Sequence, residues 1–496
     1  MAANESLCRR GSCLQPAARV QTPNRTSPML KVFQLHVSIA TFAGMIADGL
    51  LCFFAVLMAA SSLHLGPDAA AADGMLSAPN IFLFASGFAL VMSLLYACVG
   101  LYRPTPIAFG AMLGRTALAL GVGGTITYLM LKQLAEGDYA YHLMLSAVLY
   151  LLAGLVVVRG ALFLARRMAA TPRVLIVGTG AEAQSVASDL MTLKRVERQV
   201  VGFVATDPEA AQSGSMRGHP VFAGDQSIED IVAANGVDEI IVAVREQRGG
   251  GVPMDQLLAC RIRGVPILDL AGFYERAKSE VPLDSLKASW LVYGHGFVQG
   301  RARRIAKRLF DIVSSSVLLV MASPVMLLTM IAIKLDSDGP VLYSQERVGL
   351  GGKGFMCLKF RSMRTDAEKD GKAVWAQKND NRVTRVGAFI RKTRIDELPQ
   401  LFSVLKGEMS MVGPRPERPS FVRELKEVIP FYDVRHSIKP GVTGWAQVRY
   451  SYGASVEDAR RKHQFDLYYV KNNSLVLDML VLIETVSVVL FREGAH

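Results

Sequence analysis

The sequence has few of the patterns by which metal-binding and nucleophilic enzymes are usually identified. Its six cysteines form no C-x-x-C pair, and the 496 residues contain no H-E-x-x-H, G-x-S-x-G or Walker A motif. Neither a zinc site nor a disulfide framework is indicated, so the cysteines are predicted to be free thiols in a reducing compartment. The eight histidines are scattered. The chemistry has to come from other residue types.

Acidic residues are in deficit, since 55 Lys and Arg outweigh 43 Asp and Glu and give a net charge of +12. Such an excess suggests nucleic acid, an anionic membrane surface or a phosphorylated substrate as the partner. The basic residues flank apolar blocks and carboxylates. A membrane surface and a phosphorylated substrate are therefore predicted as partners, and nucleic acid is not. Residues 1–34, where arginines mix with Ser, Pro and Thr, are predicted to be a disordered basic leader rather than a secretory signal.

Long apolar blocks are abundant, because 51% of the residues are hydrophobic. We predict a four-helix transmembrane bundle at 35–167, with both ends cytoplasmic, since arginines follow the second and fourth blocks and none lies between the first two. Asp48 and Arg115 lie inside the blocks, and each is interpreted either as a helix-packing residue or as part of an ion or substrate path. The blocks, each near the ~20 residues that cross a bilayer, are roughly 35–59, 80–101, 107–131 and 142–165.

From residue 171 the composition changes to that of a soluble α/β domain. The run TPRVLIVGTGAEAQ is typical of a strand, a glycine turn and a helix, and strand-like runs alternate with helical stretches up to 280. Gly178, Gly180 and Ala183 occupy the positions of a G-x-G-x-x-A dinucleotide fingerprint. The first acidic candidate for the ribose partner is Asp207. We predict a Rossmann-like domain at 171–280, which either binds a nucleotide or retains the fold without one.

Another apolar block follows a connector at 281–302. Residues 303–335 are long enough to span a bilayer, yet Ser323 and Pro324 lie near the centre, where proline removes a backbone hydrogen bond. Basic residues stand at both ends and place both on the cytoplasmic face. We predict a re-entrant membrane helix that bends at Ser323 and Pro324, with the Ser323 hydroxyl as a candidate partner for the freed backbone groups.

The sharpest motif lies in the last segment, 336–496. The stretch TRIDELPQLF carries two neighbouring carboxylates, Asp396 and Glu397, behind the basic run RVTRVGAFIRKTR. Neighbours on a helix point about 100° apart, so the two cannot share a proton on one face and should have separate tasks. One can attack phosphorus while the other holds a divalent cation, since Mg²⁺ usually takes one or two protein carboxylates beside substrate phosphates. The alternative is an exposed acidic pair at a helix start.

Cations accompany this pair in the sequence. Lys359 and Arg361 are two residues apart in an extended segment, where alternation would direct both to one side of a strand and suit a diphosphate. Arg415 lies between Pro414 and Pro416, so its backbone is restricted and its guanidinium suits a phosphate or carboxylate clamp. The structural alternatives are a solvated basic strand and an arginine that only forms an ion pair.

Trp445 and Gln447 follow a turn with two glycines in KPGVTGWAQV. A tryptophan can stack on a nucleobase and a glutamine can hydrogen-bond to one, which predicts a nucleotide contact. Anchoring of Trp445 at the membrane interface is the alternative. The apolar tail has a helical period interrupted by Asp478 and Glu484, and it is predicted to lie along the membrane surface.

These motifs resemble the bacterial sugar transferases, monotopic phosphoglycosyl transferases that move a hexose 1-phosphate from a nucleotide diphosphate sugar to a polyprenyl phosphate. The resemblance covers about 303–492 and rests on SPVMLLTMIAIKLDSDGPVLYSQERVG, KFRSMRTDAE, RVGAFIRKTRIDELPQLFSVLKGEMSMVGPRPE and RHSIKPGVTGWAQV. The four spans and the Rossmann-like domain resemble the large members of the family, such as the undecaprenyl-phosphate glucose phosphotransferases of exopolysaccharide systems.

The resemblance implies roles for individual residues. Asp396 would be the nucleophile that takes the sugar phosphate as an acyl phosphate and releases UMP. Glu397 would be the Mg²⁺ ligand beside it, with Asp396 as a second candidate ligand, and Ser323 and Pro324 would form the re-entrant break. The partners implied are a UDP-sugar, undecaprenyl phosphate and the lipid bilayer, with the catalytic domain on the cytoplasmic face of the bacterial inner membrane. Phosphate contacts are inferred from charge and geometry, and are assigned to Lys359, Arg361 and Arg415.

The predicted architecture is a membrane α-helical bundle, a Rossmann-like α/β domain, and a mixed α/β monotopic catalytic domain with a re-entrant membrane helix. In chain order its segments are the leader 1–34, the bundle 35–167, the Rossmann-like domain 171–280, the connector 281–302, the re-entrant helix 303–335 and the catalytic domain 336–496, which ends in an interfacial helix.

Several alternatives stay open at this point. Glucose is the hexose that the resemblance favours, with galactose or an N-acetylated hexose as the alternative. A second hypothesis is a membrane-tethered nucleotide-sugar dehydrogenase or dehydratase, which needs a Y-x-x-x-K pair or a catalytic cysteine in the Rossmann-like domain. A third is a transporter or a non-catalytic scaffold for polysaccharide export. Neither homo-oligomerisation nor the ligand of the Rossmann-like domain follows from spacing.

Overall fold

The computed structural model divides the chain into two compact units by its contacts. One comprises Met1–Ser27 and Ala170–Ile267, and the other comprises Pro28–Ala169 and Leu268–His496. The predicted leader lies outside the described residues except for 29–32, as does Asp207. The described residues are 29–32, 35–65, 76–102, 109–133, 138–168, 171–192, 198–206, 214–244, 252–283, 286, 296–297, 299–365, 382–450, 453 and 455–491.

Four long helices form a bundle in the larger unit. Ahead of them, β1 (Met29–Val32) and β2 (Leu35–Ser38) pair as an antiparallel hairpin. The first helix therefore begins at Ile39 and not at 35 as predicted. α1 packs on α2 and α4, and α3 packs on the same two helices, around buried side chains such as Phe88 and Leu143. The helices are α1 (Ile39–Leu65), α2 (Ala78–Cys98), α3 (Phe109–Leu131) and α4 (Tyr139–Met168).

Three of the four predicted spans are long and apolar enough to cross a membrane, namely Thr41–Leu63, Ala78–Cys98 and Tyr139–Ala161. Among the described helices α3 does not meet this criterion. The reason is its composition, because its 23 residues include Arg115 and five glycines. The third apolar block is thus helical, but it is less apolar than the prediction of four equivalent spans requires.

The two ionisable residues singled out in the bundle make helix-packing contacts. Asp48 is fully buried, accepts a hydrogen bond from the Tyr102 hydroxyl at 3.0 Å and pairs with Arg159 at 2.6 Å. Arg115 is buried, donates to a carbonyl at the C-terminal end of α2 at 3.2 Å, and lies 4.4 Å from the ring centroid of Phe491. These contacts fit the helix-packing interpretation of both residues.

A largely parallel sheet builds the smaller unit. Its strand order is β5-β6-β4-β3-β7-β8, in which β3 pairs in parallel with β4 and β7, β4 pairs in parallel with β6, and β5 is an antiparallel edge. Val174 to Val177 are fully buried at the centre, as expected for an apolar strand covered on both faces. The elements are β3 (Arg173–Val177), α5 (Ala181–Thr192), β4 (Gln199–Val204), β5 (Ser215–Met216), β6 (His219–Phe222), α6 (Ile228–Asn235), β7 (Glu239–Val242), α7 (Met254–Ile262) and β8 (Ile267–Asp269).

The predicted glycine turn follows β3 directly. Gly178 has a φ of +118°, and a Cβ there would lie 2.9 Å from the Ala243 carbonyl oxygen. Glycine is therefore required at this position by backbone geometry alone. Gly180 precedes α5, and Ala183 is fully buried within that helix. The turn has the strand–turn–helix context of the fingerprint, and its first glycine and its alanine are already accounted for by packing.

The predicted domain limit at 280 differs from the observed one. α8 (Leu270–Ala277) and the segment after it belong to the larger unit. Val281 and Leu283 are buried in the core of the C-terminal part of the chain, and the Val281 amide donates to the Gln464 carbonyl at 3.1 Å. Alternation of strands and helices continues through β8 and α8, so the sequence pattern carries no mark of this boundary.

The C-terminal domain combines one long helix with short strands and helices. β9 and β10 form an antiparallel hairpin, and β11 pairs in parallel with β12. The core between them includes Leu401, Met411 and Tyr468. The elements are α9 (Arg301–Asp336), β9 (Leu342–Val348), β10 (Gly354–Phe360), α10 (Arg385–Lys392), α11 (Gln400–Lys406), β11 (Ser410–Val412), α12 (Pro419–Val428), β12 (Gly441–Thr443), α13 (Trp445–Arg449), α14 (Val456–Asn472) and α15 (Leu475–Phe491).

The predicted break at Ser323 and Pro324 lies inside a helix that continues through it. α9 is helical over 36 residues with Pro324 inside, and it is long and apolar enough to cross a membrane. Proline leaves the Val320 carbonyl without its usual amide donor. The Ser323 hydroxyl donates to that carbonyl at 2.8 Å, as expected from the sequence. The predicted break is therefore a proline site within one continuous helix, and the Ser323 hydroxyl satisfies the acceptor that the proline frees.

Both ends of α9 contact the C-terminal domain. Near its start, Lys307 donates to the Val412 carbonyl at 3.2 Å. At its end, Asp336 accepts a hydrogen bond from the Val386 amide at 3.0 Å. Many of the large apolar side chains between these points are exposed, Leu328 among them. α9 therefore presents an apolar surface while the domain holds it at both ends.

The acidic residues of α15 mark its buried face. Asp478 pairs with Lys307 at 2.9 Å, and Glu484 pairs with Arg449 at 2.6 Å. Apolar residues of the same helix, such as Leu490, are exposed. The helix thus has the exposed apolar face that the prediction of a surface helix requires. The two carboxylates that interrupt the apolar pattern of α15 form ion pairs with the C-terminal domain on the opposite face of the helix.

Candidate active site

The two neighbouring carboxylates lie on a buried 3₁₀ turn. The turn, Ile395–Glu397, connects α10 to α11. Asp396 and Glu397 are 8% and 6% exposed, so their interpretation as an exposed acidic pair is wrong. Successive residues of a 3₁₀ turn point about 120° apart. The two carboxylates accordingly have different surroundings.

Three cations surround Glu397. Its Oε1 lies 2.7 Å from Arg415 Nη2, 3.1 Å from Lys359 Nζ and 3.8 Å from Arg394 Nη1. Burial alone would raise the pKa of this carboxyl, but Arg415, Lys359 and Arg394 outweigh burial and hold the pKa of Glu397 well below its usual range. Glu397 is therefore ionised at neutral pH, and positive charge is concentrated beside the acidic turn.

Asp396 is in the opposite situation. Its Oδ1 is buried and has no hydrogen-bond partner in the part of the chain that the structure describes. Burial and the negative charge of Glu397 raise the pKa of Asp396, while Lys359 and Arg415 oppose the increase. A buried polar atom without a partner is costly, and a catalytic role is one explanation for it. Asp396 thus offers an oxygen lone pair to an incoming group.

The pair can contribute ligands to a cation but cannot bind one alone. Among the described residues, no cluster of three or more His, Cys, Asp or Glu forms a metal site. Mg²⁺ needs only one or two protein carboxylates when water and phosphate oxygens complete its coordination. Asp396 Oδ1 and the Glu397 carboxylate supply that number. The residues therefore fit Mg²⁺, provided that Glu397 gives up part of its contact with the neighbouring cations.

Arg415 is held in place through its backbone. Its carbonyl accepts a hydrogen bond from Arg435 Nη2 at 2.9 Å, and Arg435 is buried in an ion pair with Asp466 at 2.8 Å. The carbonyl of the next residue, a proline, accepts a hydrogen bond from Arg347 at 3.3 Å. Two further arginines thus reinforce the restriction that the flanking prolines impose. The Arg415 guanidinium is presented to the acidic turn from a rigid segment.

Glycines bring the same segment close to β12. The Gly413 amide donates to the Thr443 carbonyl at 3.0 Å, and the Gly441 amide donates to the Pro414 carbonyl at 3.0 Å. A Cβ on Gly441 would lie 2.1 Å from the Gly413 nitrogen. Only glycine permits so close a backbone approach. The first glycine of KPGVTG therefore positions the Arg415 segment through the backbone.

Lys359 and Arg361 have different partners. β10 ends at Phe360, and the Arg361 amide still donates to the Val341 carbonyl at 2.9 Å. Lys359 reaches Glu397, whereas Arg361 is buried and donates to the carbonyl groups of the two residues after α9. The structure thus brings Lys359 and Arg415 to the acidic turn. Arg361 instead binds the backbone that follows α9, so the predicted phosphate contact of Arg361 is wrong.

Trp445 is a core residue. It is 2% exposed, its Nε1 donates to the Ser279 carbonyl at 2.9 Å, and its ring stacks on Tyr468 with centroids 5.8 Å apart. A ring buried in this way can neither stack on a nucleobase nor anchor the domain in a membrane interface, so both interpretations are wrong. Gln447 has a buried Oε1 without a hydrogen-bond partner among the described residues. A nucleotide contact by Gln447 stays a prediction.

The Y-x-x-x-K spacing required by the dehydrogenase hypothesis does occur, at Tyr274 and Lys278. Both residues belong to the larger unit and not to the one that contains most of the parallel sheet. Lys278 Nζ lies over the face of the tyrosine ring, 5.1 Å from its centroid. Cys260, the one cysteine in 171–280, is buried, and burial raises the pKa of its thiol. Neither feature supports the hypothesis.

Sequence reasoning did not single out Arg394, which lies beside Glu397, or Arg435, which holds the Arg415 backbone. Arg394 stands two positions before Asp396, and Arg435 lies in RHSIKPG, so their place within the motifs was the available signal. His436, the histidine of the RHSIKPG motif, is uncharged near neutral pH because its pKa is lowered. Burial and the charge of Arg435 lower its pKa to about 4.

Comparison with known proteins assigns the C-terminal region to a family. The model described as "Bacterial sugar transferase" matches residues 302–492. The chain is 41% identical over 259 residues, 52% of its length, to the UDP-N-acetylgalactosamine-undecaprenyl-phosphate N-acetylgalactosaminephosphotransferase of Aeromonas hydrophila. It is 32% identical over 335 residues, 65% of its length, to the UDP-glucose:undecaprenyl-phosphate glucose-1-phosphate transferase of Xanthomonas campestris pv. campestris.

A third relative is the undecaprenyl-phosphate glucose phosphotransferase of Komagataeibacter xylinus, 36% identical over 341 residues and 65% of this chain. The matched regions span 60%, 68% and 60% of the lengths of the three relatives, in the order given. The similarity to the two glucose transferases thus extends well beyond the C-terminal region that the family model matches.

Proposed function

Because the chain belongs to the bacterial sugar transferase family, we propose that it transfers a hexose 1-phosphate from a UDP-sugar to undecaprenyl phosphate and releases UMP. The observation that carries this proposal is the buried turn where Glu397, paired with cations, stands beside an Asp396 oxygen that has no partner within the described part of the chain. The substrate classes come from the names of the relatives, which pair undecaprenyl phosphate with UDP-glucose or UDP-N-acetylgalactosamine. We propose this reaction as the first membrane step in the synthesis of an exopolysaccharide.

Asp396 acts as the nucleophile in two displacements at one phosphorus. Its unpartnered oxygen attacks the β-phosphorus of the UDP-sugar, the bond from that phosphorus to the bridging oxygen breaks, and UMP leaves with the electron pair. The product is an acyl phosphate that carries the sugar. An oxygen of undecaprenyl phosphate then attacks the same phosphorus, and Asp396 leaves as a carboxylate. A covalent intermediate lets one site serve both substrates in turn.

Cations make the attack of an anion on a diphosphate feasible. Lys359 and Arg415 stand beside the nucleophile, where they can contact phosphate oxygens as charge moves to the leaving group. Glu397 would hold Mg²⁺, with Asp396 as a second candidate ligand. When bound, this ion neutralises phosphate charge, which is most of what a protein can contribute to phosphoryl transfer. In the free protein Lys359 and Arg415 form ion pairs with Glu397.

We infer that α9 is the re-entrant membrane helix. A straight helix of 36 residues is about 54 Å long, yet both of its ends contact one domain and apolar side chains between them are exposed. A bend at Pro324 keeps both ends at the cytoplasmic face of the inner membrane, with the Ser323 hydroxyl covering the Val320 carbonyl. This placement brings the acidic turn to the height of lipid headgroups.

The α/β unit is proposed to be Rossmann-like. Its strands β6, β4, β3, β7 and β8 lie side by side in the succession 3-2-1-4-5, which is the order of that fold up to its fifth strand.

The donor sugar is proposed to be glucose or N-acetylgalactosamine, because the names of the relatives described above contain these sugars. Galactose is the further candidate.

The test is UMP release by the purified full chain with undecaprenyl phosphate and Mg²⁺, using UDP-glucose, UDP-N-acetylgalactosamine and UDP-galactose in parallel. One sugar should give release, and Asp396→Asn should abolish it. Asp230→Asn, the same change at an exposed position on α6, serves as the matched control and should retain activity. Release that survives in Asp396→Asn would remove Asp396 as the nucleophile. No release with any sugar would favour the scaffold hypothesis.

Intact-mass spectrometry tests the covalent step. Protein mixed with the active UDP-sugar in the absence of lipid acceptor should gain the mass of one hexose phosphate. The added mass should be absent in Asp396→Asn and should disappear from the wild type when undecaprenyl phosphate is supplied. UMP release without any added mass under acceptor-free conditions would argue for direct transfer between the two substrates.

A further inference from the structure

Arg394 has a backbone conformation that residues other than glycine rarely adopt. Its φ and ψ are +61° and +13°, in the left-handed region, and it directly precedes the 3₁₀ turn that carries Asp396 and Glu397. Glycine is the residue that this region favours, since a Cβ is crowded there by the following carbonyl. A bulky residue in this conformation next to a reactive group is the type of strain that clusters at functional sites.

Hydrogen bonds on both sides fix this conformation. The Arg394 amide donates to the Arg391 carbonyl at 3.3 Å, and the Arg394 carbonyl accepts from the Glu397 amide at 3.2 Å. The residue therefore follows the C-terminal end of α10 and directly precedes the acidic turn. Its side-chain direction is set by the fold, and glycine could satisfy both backbone contacts at lower strain.

The ion pair of Arg394 does not account for the choice of arginine either. Its Nη1 lies 3.8 Å from Glu397 Oε1, longer than the contacts of Arg415 and Lys359, and its side chain is 47% exposed against 30% and 22% for those two. Ion pairs as open as this contribute little to stability. Glu397 already has two closer cations, so folding gains little from the third.

We propose that Arg394 is a substrate-phosphate contact of the acidic turn, the mobile member of its three cations. The inference rests on the proposed function and adds a residue to it. Arg415 is held through its backbone by Arg435, and Lys359 is anchored on a hairpin. Arg394 can leave Glu397 without loss of structure. Its guanidinium then binds an oxygen of the phosphate that approaches Asp396, whether on the sugar donor or on the lipid acceptor.

The test compares glycine, asparagine and lysine at position 394, because glycine and asparagine tolerate the left-handed region without the charge and lysine keeps the charge. Arg217→Gly is the matched control, since Arg217 is exposed and has a φ of +51° in the other unit. Arg394→Gly and Arg217→Gly should both melt at the same temperature as the wild type or higher.

Arg394→Gly and Arg394→Asn should raise the KM for one phosphate substrate and lower kcat/KM about tenfold, the effect of losing one modest contact, while Arg394→Lys recovers part of it. A change in the KM for the UDP-sugar assigns the contact to the donor, and a change in the KM for undecaprenyl phosphate assigns it to the acceptor. Unchanged KM values for both substrates in Arg394→Gly would overturn the proposal.

A binding readout separates this outcome from failure of the proposed function. If the wild type releases UMP and Arg394→Gly is indistinguishable from it, the role of Arg394 falls and the function stands. If the wild type releases no UMP, stabilisation by UDP and Mg²⁺ in thermal unfolding still reports on the phosphate contact. Under that condition equal stabilisation of wild type and Arg394→Gly by UDP excludes a donor contact, and equal stabilisation by undecaprenyl phosphate as well would overturn the proposal.

Discussion

Arg415 Nη2 lies 2.7 Å from Glu397 Oε1, and its Nη1 lies 3.5 Å from Glu397 Oε2. The pair joins a buried carboxylate to an arginine whose backbone is held between prolines and by a second arginine, Arg435. In the free protein the positive charge of Arg415, which the substrate phosphates need, is therefore paired with Glu397. The position of that charge is set before any substrate arrives.

We expect Arg415→Lys to lower kcat/KM for UMP release by about tenfold to hundredfold. Lysine keeps the charge but cannot reproduce the two-point contact of a guanidinium, and a hydrogen bond to a charged group contributes about 1.5–3 kcal/mol. Arg423→Lys, the same change at an exposed position of α12, is the control. Equal activity of Arg415→Lys and wild type would show that only the charge matters at this position.

The pH dependence of kcat/KM should report the ionisation of Asp396. The attacking carboxylate must be ionised, and burial and Glu397 raise its pKa above the ordinary 3.8. Activity should therefore fall on the acid side with a midpoint above that value. Lys359 lowers the pKa of Asp396, so Lys359→Met should move the midpoint to higher pH.

Lys353→Met, which removes an exposed lysine from the turn between β9 and β10, should leave the acid midpoint where it is. Steady-state rates measured across the acid range on both variants provide the comparison. A midpoint that stays unchanged in Lys359→Met, or that moves equally in Lys353→Met, would contradict the assignment of the acid limb to Asp396.

The Arg435–Asp466 pair should be essential for stability as well as for the site. Both partners are buried, and removing one leaves an uncompensated charge, which typically costs about 3–5 kcal/mol. Arg435→Met should therefore lower the unfolding midpoint strongly. The double variant Arg435→Met with Asp466→Leu should recover much of the stability but not the activity, because the Arg415 carbonyl still lacks its donor. Recovery of both would show that Arg435 has no positioning role.

The proposed course of α9 predicts that its two ends are accessible from one side of the membrane. Single cysteines in place of Arg301 and Asp338, in a chain with the native cysteines replaced, should both react with an impermeant maleimide in inverted membrane vesicles. Ser77→Cys, at the exposed start of α2, should react only from the opposite side. Reaction of the Arg301 and Asp338 positions from opposite sides would establish a complete span.

Much of the candidate site could be predicted from neighbours in the chain. Asp396, Glu397, Lys359 and Arg415 were identified because residue types and local spacing suffice to mark an acidic turn with cations near it, and the predicted family is confirmed. The prediction for Arg361 was wrong because its guanidinium binds the carbonyls that follow α9, and local alternation does not reveal these partners. Trp445 failed because an aromatic residue beside glycines looks the same in a binding turn and in a core.

Periodicity and residues close together in the chain are enough to predict the apolar helices, the strand–glycine–helix turn, the family and the acidic pair. Only the packed structure shows that cations hold Glu397 while an Asp396 oxygen has no partner among the described residues, since Lys359 and Arg415 come from distant positions in the chain. The packed structure also assigns the chain from Leu268 onward to the larger unit and places Val281 and Leu283 in the C-terminal core. Burial and long-range charge arise only when distant segments pack, and no local pattern encodes them.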